Sequence, residues 1–364
     1  DGGILVCDYN AETGDITPRT AGRDTDNPSW VAVHPQYRIL YAVSESGSPE
    51  GGAIHCYTRE PATGELTFAG GVPSGGRGPC YVSVSSDGRF VFVANYNSGT
   101  VSSYRVAERG RTAASGLLSG PICTIEHVGS SVNQARQTAP HAHQAYPDPS
   151  GRYLLVPDLG TDKLMVYEVD ATAATLEATG LTITVEAGSG PRHIAFHPDG
   201  TFLYLVNELS STVMGIRWPG AAGGPSVNTP GATSATPGPR EAGVAAAPAV
   251  VQTISTLPKD FAGENTTAAI RVHPSGRFLY ASNRGHDSVA IFGITDDHRL
   301  EPVGWESTRG KTPREVNLSP DGRYLFAANQ YSNNIATFAV DQETGALSFV
   351  RMTEAPRPVC LCFA

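Results

Sequence analysis

The chain has 364 residues, of which 40% are hydrophobic and 17% charged, with 40 glycines, 27 prolines and a formal net charge of −9. That length can bury ample apolar surface, and no apolar run approaches membrane-spanning length. The acidic balance excludes nucleic acid as the main partner, because a phosphate backbone calls for a basic face.

The first segments, Gly2 to Asn10 and Asp15 to Arg19, read as two strands around a turn. They resemble the third and fourth strands of a unit that has no beginning, so residues before Asp1 are expected. From residue 27 a pattern starts and recurs. Strand openings read Asn27-Pro28-Ser29-Trp30, Gly78-Pro79-Cys80-Tyr81, Ala139-Pro140-His141-Ala142-His143, Gly190-Pro191-Arg192-His193, Ala268-Ala269-Ile270-Arg271, Thr312-Pro313-Arg314-Glu315 and Arg357-Pro358-Val359-Cys360. Proline has no ladder donor and belongs at the first residue of a strand. Behind the openings comes a polar turn and a β-branched or aromatic run, as in SSDGRFVFVANY, HPDGTFLYLVNE and SPDGRYLFAANQ, which is a hairpin signature.

The turn glycines Gly88, Gly151, Gly200, Gly276 and Gly322 are separated by 63, 49, 76 and 46 residues, giving a basic unit just under fifty. Third strands open at Gly99-Thr100-Val101, Ser211-Thr212-Val213 and Asp287-Ser288-Val289, and fourth strands follow loose turns such as Thr63-Gly64-Glu65-Leu66. Four strands per unit at this period predict an all-β fold, a seven-bladed β-propeller of four-stranded antiparallel blades occupying residues 1–364 as one domain. The C-terminal opening, with Pro358 to Phe363, is expected to pair as the inner strand of the blade that holds Gly2 to Asn10. The second strand of that blade is absent from the sequence.

Two stretches break the period. Residues 219–250 are rich in Gly, Pro, Ala, Ser and Thr and read as an inert, mobile surface insertion. The excess around Glu108 to Thr138 leads into the His141 opening and is expected to form a lip over the channel mouth. The six cysteines read as small buried hydrophobes of a reducing compartment, and Cys360 and Cys362 have no second Cys pair for a zinc site. No signal peptide is visible, so the expected location is the cytoplasm.

In a four-stranded meander the start of strand one and the end of strand two share one end of the blade. The starts contribute His141, His143, Arg192, His193, Arg271 and Arg314; the ends contribute Glu45, Asn95, Asp158, Asn207, Glu208, Asn283, Arg284, Asn329 and Gln330. Imidazoles, guanidiniums and single carboxylates around a concave mouth suit an anionic small-molecule substrate. The repeated asparagines also read as turn caps. No G-x-S-x-G elbow or carboxylate cluster is present, so neither a serine nucleophile nor a metal or other cofactor is expected.

The segments APHAH (139–143), PDLGTDKL (157–164), GPRHIAFHPDG (190–200), VNELSSTV (206–213), LPKDFAGENTTAAIRVHPSGRFLYASNRGHDSVAIF (257–292) and GKTPREVNLSPDGRYLFAANQ (310–330) resemble the seven-bladed lactonase family. That family includes the bacterial propeller type of 6-phosphogluconolactonase and, more distantly, the fungal carboxy-cis,cis-muconate cyclase. The resemblance implies a site of one His, one Glu and two Arg, falling here on His143, Glu208, Arg192 and Arg284. APHAH, VNELSS and SNRGHDS look like the phosphogluconolactonase branch, which implies hydrolysis of a sugar lactone by activated water, with His143 or Glu208 as base. His141, His193, Asn95, Asp158, Asn283, Arg314 and Gln330 are expected to help bind the substrate. A cyclase-type reaction and a non-enzymatic docking platform are the alternatives, and the chain is expected to be a monomer.

Overall fold

The computed structural model describes residues 3–22, 25–46, 51–107, 116–219 and 247–364. Most of the glycine- and proline-rich insertion lies outside them. All regular structure in the described residues is β, and no helix is long and apolar enough to cross a membrane.

A two-stranded sheet of β1 (Ile4–Asn10) and β2 (Asp15–Gly22) opens the chain. Six four-stranded antiparallel sheets follow in strict meander order. They are β3 (Pro28–Val33), β4 (Ile39–Ser44), β5 (Ala53–Arg59) and β6 (Leu66–Pro73); then β7 (Pro79–Val84), β8 (Phe90–Asn95), β9 (Thr100–Arg105) and β10 (Cys123–Glu126). The next pair of sheets comprises β11 (Tyr146–Pro147), β12 (Tyr153–Asp158), β13 (Lys163–Val169) and β14 (Leu176–Thr184), and β15 (Pro191–Phe196), β16 (Phe202–Asn207), β17 (Thr212–Arg217) and β18 (Ala249–Ser255). The last two comprise β19 (Thr266–Val272), β20 (Phe278–Arg284), β21 (Ser288–Ile294) and β22 (Leu300–Ser307), and β23 (Pro313–Leu318), β24 (Tyr324–Asn329), β25 (Asn334–Val340) and β26 (Leu347–Glu354).

The expectation of seven four-stranded blades therefore needs correction, since six sheets are complete and the seventh has two strands. Residues 357–364 form no strand, contrary to the pairing expected for Pro358 to Phe363. The reason is topological: an inner strand ladders onto the second strand of its blade, and none of the described residues supplies that neighbour. The segment is instead held by side chains. Asn317 Nδ2 donates to Leu361 O at 2.8 Å, and Phe363 packs edge-on against Tyr9 at 5.1 Å between ring centroids.

The unbroken apolar runs of the second strands are explained by burial on both faces. Every residue of β4, β8 and β16 is buried, while the outer strands β6 and β22 are mostly partly or fully exposed. Adjacent blades thus share apolar layers, such as Tyr41 and Ile54 with Val82 and Phe92.

Three His-Pro turns clasp the next blade. His34, His197 and His273 each donate a ring N–H to the carbonyl of Gly88, Gly276 or Gly322, at 2.8, 3.1 and 3.0 Å. Each glycine has a positive φ near 73°, and a Cβ there would meet the incoming imidazole at 2.4–2.6 Å. Both constraints demand glycine.

One irregularity recurs where it matters. The first ladder of several blades slips just after its opening, between Pro28 and Trp30, Pro79 and Tyr81, Pro191 and His193, and Pro313 and Glu315. The extra residue of such a bulge has no cross-strand partner and re-aims the side chains around it. Ser29, Cys80, Arg192 and Arg314 occupy that place.

Candidate active site

Glu208, the residue after β16, is buried at 3% exposure with three guanidiniums around it. Arg136 Nη2 donates to Oε1 at 2.7 Å, and Arg284 Nη2 lies 3.0 Å from Oε2. Arg192 Nε lies 2.9 Å from Oε2 as a charge contact, while its Nη1 donates to Ala268 O. Arg284 also donates to Thr267 O at 2.7 Å, so two of the guanidiniums are anchored to the backbone of β19.

Burial alone would raise the Glu208 pKa, but Arg284, Arg192, His143 and Arg136 reverse it and hold the carboxyl well below the usual range. The Arg192 pKa is lowered as well, to about 9, by burial and by Arg284, which for a guanidinium disfavours the charged form. Arg314 also acts on both of these arginines, and it makes no ion pair among the described residues. Glu208 is thus shared by three guanidiniums, an excess of positive charge at that carboxylate, and Arg314 acts on Arg192, Arg284 and the Glu315 carboxyl.

His143, buried at 5% exposure, stands at the edge of this cluster. Burial and Arg192 lower its pKa well below the imidazole range, so the ring is neutral at neutral pH. Its Nδ1 lies 3.9 Å from the thiol of Cys80, a bulge residue. Behind it lies His193, 5.0 Å away between ring centroids, likewise neutral through burial and enclosed by Trp30 and Tyr81. Above it Tyr96 stacks on His141 at 4.3 Å and meets the His143 ring at 5.5 Å, and Arg136 Nη2 donates to the Tyr96 hydroxyl at 3.2 Å.

The four residues His143, Arg192, Glu208 and Arg284 therefore share one cluster, with His193, His141 and Arg314 beside it. Asn95, Asp158 and Asn283 are held elsewhere. Asn95 and Asn283 are fully buried and donate to Thr100 Oγ1 and Ser288 Oγ, the residues opposite them across the second hairpin. Asn207 and Asn329 repeat the arrangement with Thr212 and Asn334. Asp158 takes the backbone N–H groups of His141, Gly160 and Thr161 on one oxygen and His127 Nδ1 at 2.5 Å on the other. Gln330 is partly buried, with its backbone N–H on Thr312 O. Arg271 lies deeper in the channel, ion-paired with the fully buried Glu315, whose pKa burial raises to about 7 against the pull of Arg271.

Sequence reasoning did not name Arg136 and Tyr96. Tyr96 follows the strand-two end Asn95 directly, so its position was readable. Arg136 comes from the coil after β10, within the Glu108 to Thr138 stretch expected to form a lip, of which residues 108–115 lie outside the described residues.

The family model described as "Lactonase, 7-bladed beta-propeller" matches residues 1–250 and 240–363. The Bacillus subtilis 6-phosphogluconolactonase is 33% identical over 363 residues, covering 99% of this chain and 94% of its own length. The structure of the Pseudomonas aeruginosa periplasmic gluconolactonase superposes with a TM-score of 0.84 at 30% identity, covering 98% of this chain and 93% of that one. A Lactobacillus plantarum protein of solved structure gives 0.83 at 29% identity, covering 99% and 94%. The chain belongs to the seven-bladed β-propeller lactonase family.

Proposed function

We propose that this protein hydrolyses a sugar lactone bearing an anionic group, with 6-phosphogluconolactone as the favoured substrate. The observation that carries the reading is the excess of guanidiniums around Glu208, with Arg314 left unpaired among the described residues. Clustered cations repel one another, and a bound phosphate relieves that repulsion while accepting charge-assisted hydrogen bonds. Of the three named relatives one is a 6-phosphogluconolactonase and another a gluconolactonase, so the phosphate is the point to decide.

Water is the nucleophile in this reading. His143, neutral and beside the cluster, takes a proton as the water oxygen adds to the carbonyl carbon. Arg192 or Arg284 holds the resulting oxyanion. The ring C–O bond then breaks, the leaving alkoxide takes the proton back from His143, and the opened acid departs as its carboxylate. Glu208 is a poor base because three guanidiniums stabilise its ionised form. Its role is to hold Arg136, Arg192 and Arg284 in place.

The test is a base-consumption assay on 6-phosphogluconolactone, unphosphorylated gluconolactone and a carboxymuconate. The expected result is a kcat/KM at least tenfold higher for the phosphorylated lactone. Equal values for the two sugar lactones would remove phosphate recognition, and turnover of carboxymuconate alone would favour the cyclase reading.

A further inference from the structure

The face of the propeller opposite Glu208 carries a second constellation. Arg192 and Glu208 flank the Pro191↔Asn207 end of their hairpin, whereas His197 and Asp199 sit in the turn beyond Phe196↔Leu203, its other end. His298 lies in the turn between β21 and β22 of the next blade, also away from Arg284. His197 Nδ1 lies 3.0 Å from Asp199 Oδ1, and His298 Nε2 lies 2.8 Å from Asp199 Oδ2. One ligand atom from each of the three residues falls within 4.8 Å of the others. We infer that His197, Asp199 and His298 form an inter-blade site for a divalent transition metal of the zinc type.

The convergence of the three ligand atoms from two blades carries the argument, and the tautomer of His197 suits it. Its Nε2 faces Gly276 O, a carbonyl, and must donate; the neutral ring therefore turns a lone pair at Nδ1 toward a carboxylate oxygen. That nitrogen also accepts from the Asp199 N–H at 3.4 Å, and a cation shared between it and the carboxylate, a metal ion in place of a ring proton, removes the repulsion of two acceptors at 3.0 Å. In all three His-Pro turns Nδ1 accepts a backbone N–H, but in the other two no carboxylate among the described residues stands against it. His34 Nδ1 accepts from the N–H groups of Gln36 and Tyr37, and His273 Nδ1 meets the Ser275 hydroxyl at 2.8 Å. An Asp opposed by a histidine of the neighbouring blade occurs in the His197 turn alone of the three.

The surroundings are those of a ligand set. A metal-binding imidazole commonly donates its other N–H to a carbonyl, as His197 does to Gly276. The His298 ring is stacked on Phe202 at 4.6 Å, and its carbonyl accepts from the Tyr204 hydroxyl at 3.1 Å. Its backbone adopts φ 64°, a left-handed conformation that few non-glycine residues take. Two imidazoles and a carboxylate suit Zn2+, with bonds of about 2.0–2.2 Å and an open fourth position for water. Ligand atoms around such an ion lie roughly 3.3 Å apart by the same bond lengths, so small side-chain rotations accommodate it.

The experiment uses the full chain, stripped with a chelator and titrated with Zn2+ by calorimetry at pH 7.5, then with Co2+ by absorption. The expected result is one ion per chain, with a Tm rise of about 3 °C at a hundredfold excess over Kd. Asp199→Asn and His298→Asn keep the turn preferences of the native residues. Each is expected to weaken binding at least tenfold with unchanged far-ultraviolet dichroism. Unaltered affinity in both variants, a thiolate-to-cobalt charge-transfer band, or no saturation below millimolar Zn2+ would overturn the inference. The site lies away from Glu208, so its failure would leave the lactonase reading untouched.

Discussion

Arg314 and Glu208 divide the work of charge at the mouth, and their substitutions should fail differently. Arg314 makes no contact ion pair among the described residues, so Arg314→Ala is expected to raise KM for a phosphorylated lactone about tenfold or more. The unphosphorylated analogue should change little, because one charge-assisted contact is worth about 1.5–3 kcal/mol. Glu208→Gln removes the anion that three guanidiniums share. It should lower kcat and also Tm, as burying clustered cations without their partner is costly. Steady-state kinetics on both lactones together with a thermal melt separate the two outcomes. Deeper in the channel, Glu315 has a folded pKa raised to about 7 by burial. A carboxyl with a raised pKa contributes stability that is complete below its unfolded value of about 4.3 and is lost as pH rises through the folded value. The Tm difference between the native chain and Glu315→Gln should therefore move against the native chain from pH 5 to pH 8. A difference that stays flat across that window would mean Glu315 remains ionised beside Arg271.

At the scale of elements, the bulge and the asparagine clasp build the site edge. A hairpin without the slip between Pro191 and His193 would alternate its side chains strictly. With it, Arg192 meets Glu208 while the next residue, His193, lies between Trp30 and His143. The clasp fixes the far side of strand two. Asn329 donates to Thr308 O at 3.0 Å and to Asn334 Oδ1 at 2.9 Å while fully buried. Asn329→Ala is expected to cost about 1–3 kcal/mol in denaturant unfolding through the orphaned acceptors. KM should not change, which would separate the repeated asparagines from the binding residues. This placement was half legible: the asparagine repeat was visible as a turn-capping pattern, but the choice between capping and binding depends on the residue opposite, such as Thr100 or Ser288. Five positions along the chain, that neighbour is a cross-strand partner only once the hairpin register is set.

The whole molecule is closed by side chains where a strand ladder is incomplete. Tyr9, Phe326 and Phe363 form a three-ring cluster at 5.1–5.9 Å, Arg351 Nη1 reaches Asp15 at 2.6 Å, and the Tyr324 hydroxyl donates to Glu12 O at 2.7 Å. Phe363→Ala is expected to lower stability by about 1–3 kcal/mol, less than for a fully buried ring. It should also speed proteolysis near both termini; a Tm within 1 °C of the native chain would place closure elsewhere. The sequence by itself determined the blade repeat, the strand openings at Pro28, Pro79, Pro191 and Pro313 and the residue types at the mouth, because strand starts, turn glycines and apolar alternation are local and recur at a fixed period, whereas the openings at 139–143 and 357–360 form no strand. It also carried His143, Arg192, Glu208 and Arg284 to one end of their blades, since strand direction follows from the meander. Tertiary structure alone decided that Arg136 completes the Glu208 cluster, that Arg314 stays unpaired among the described residues while Arg271 is taken by Glu315, and that residues 357–364 lie beside the ring as coil. Each of these depends on groups brought together across blades, where distance, burial and the presence of a ladder neighbour set the outcome and sequence spacing carries no information.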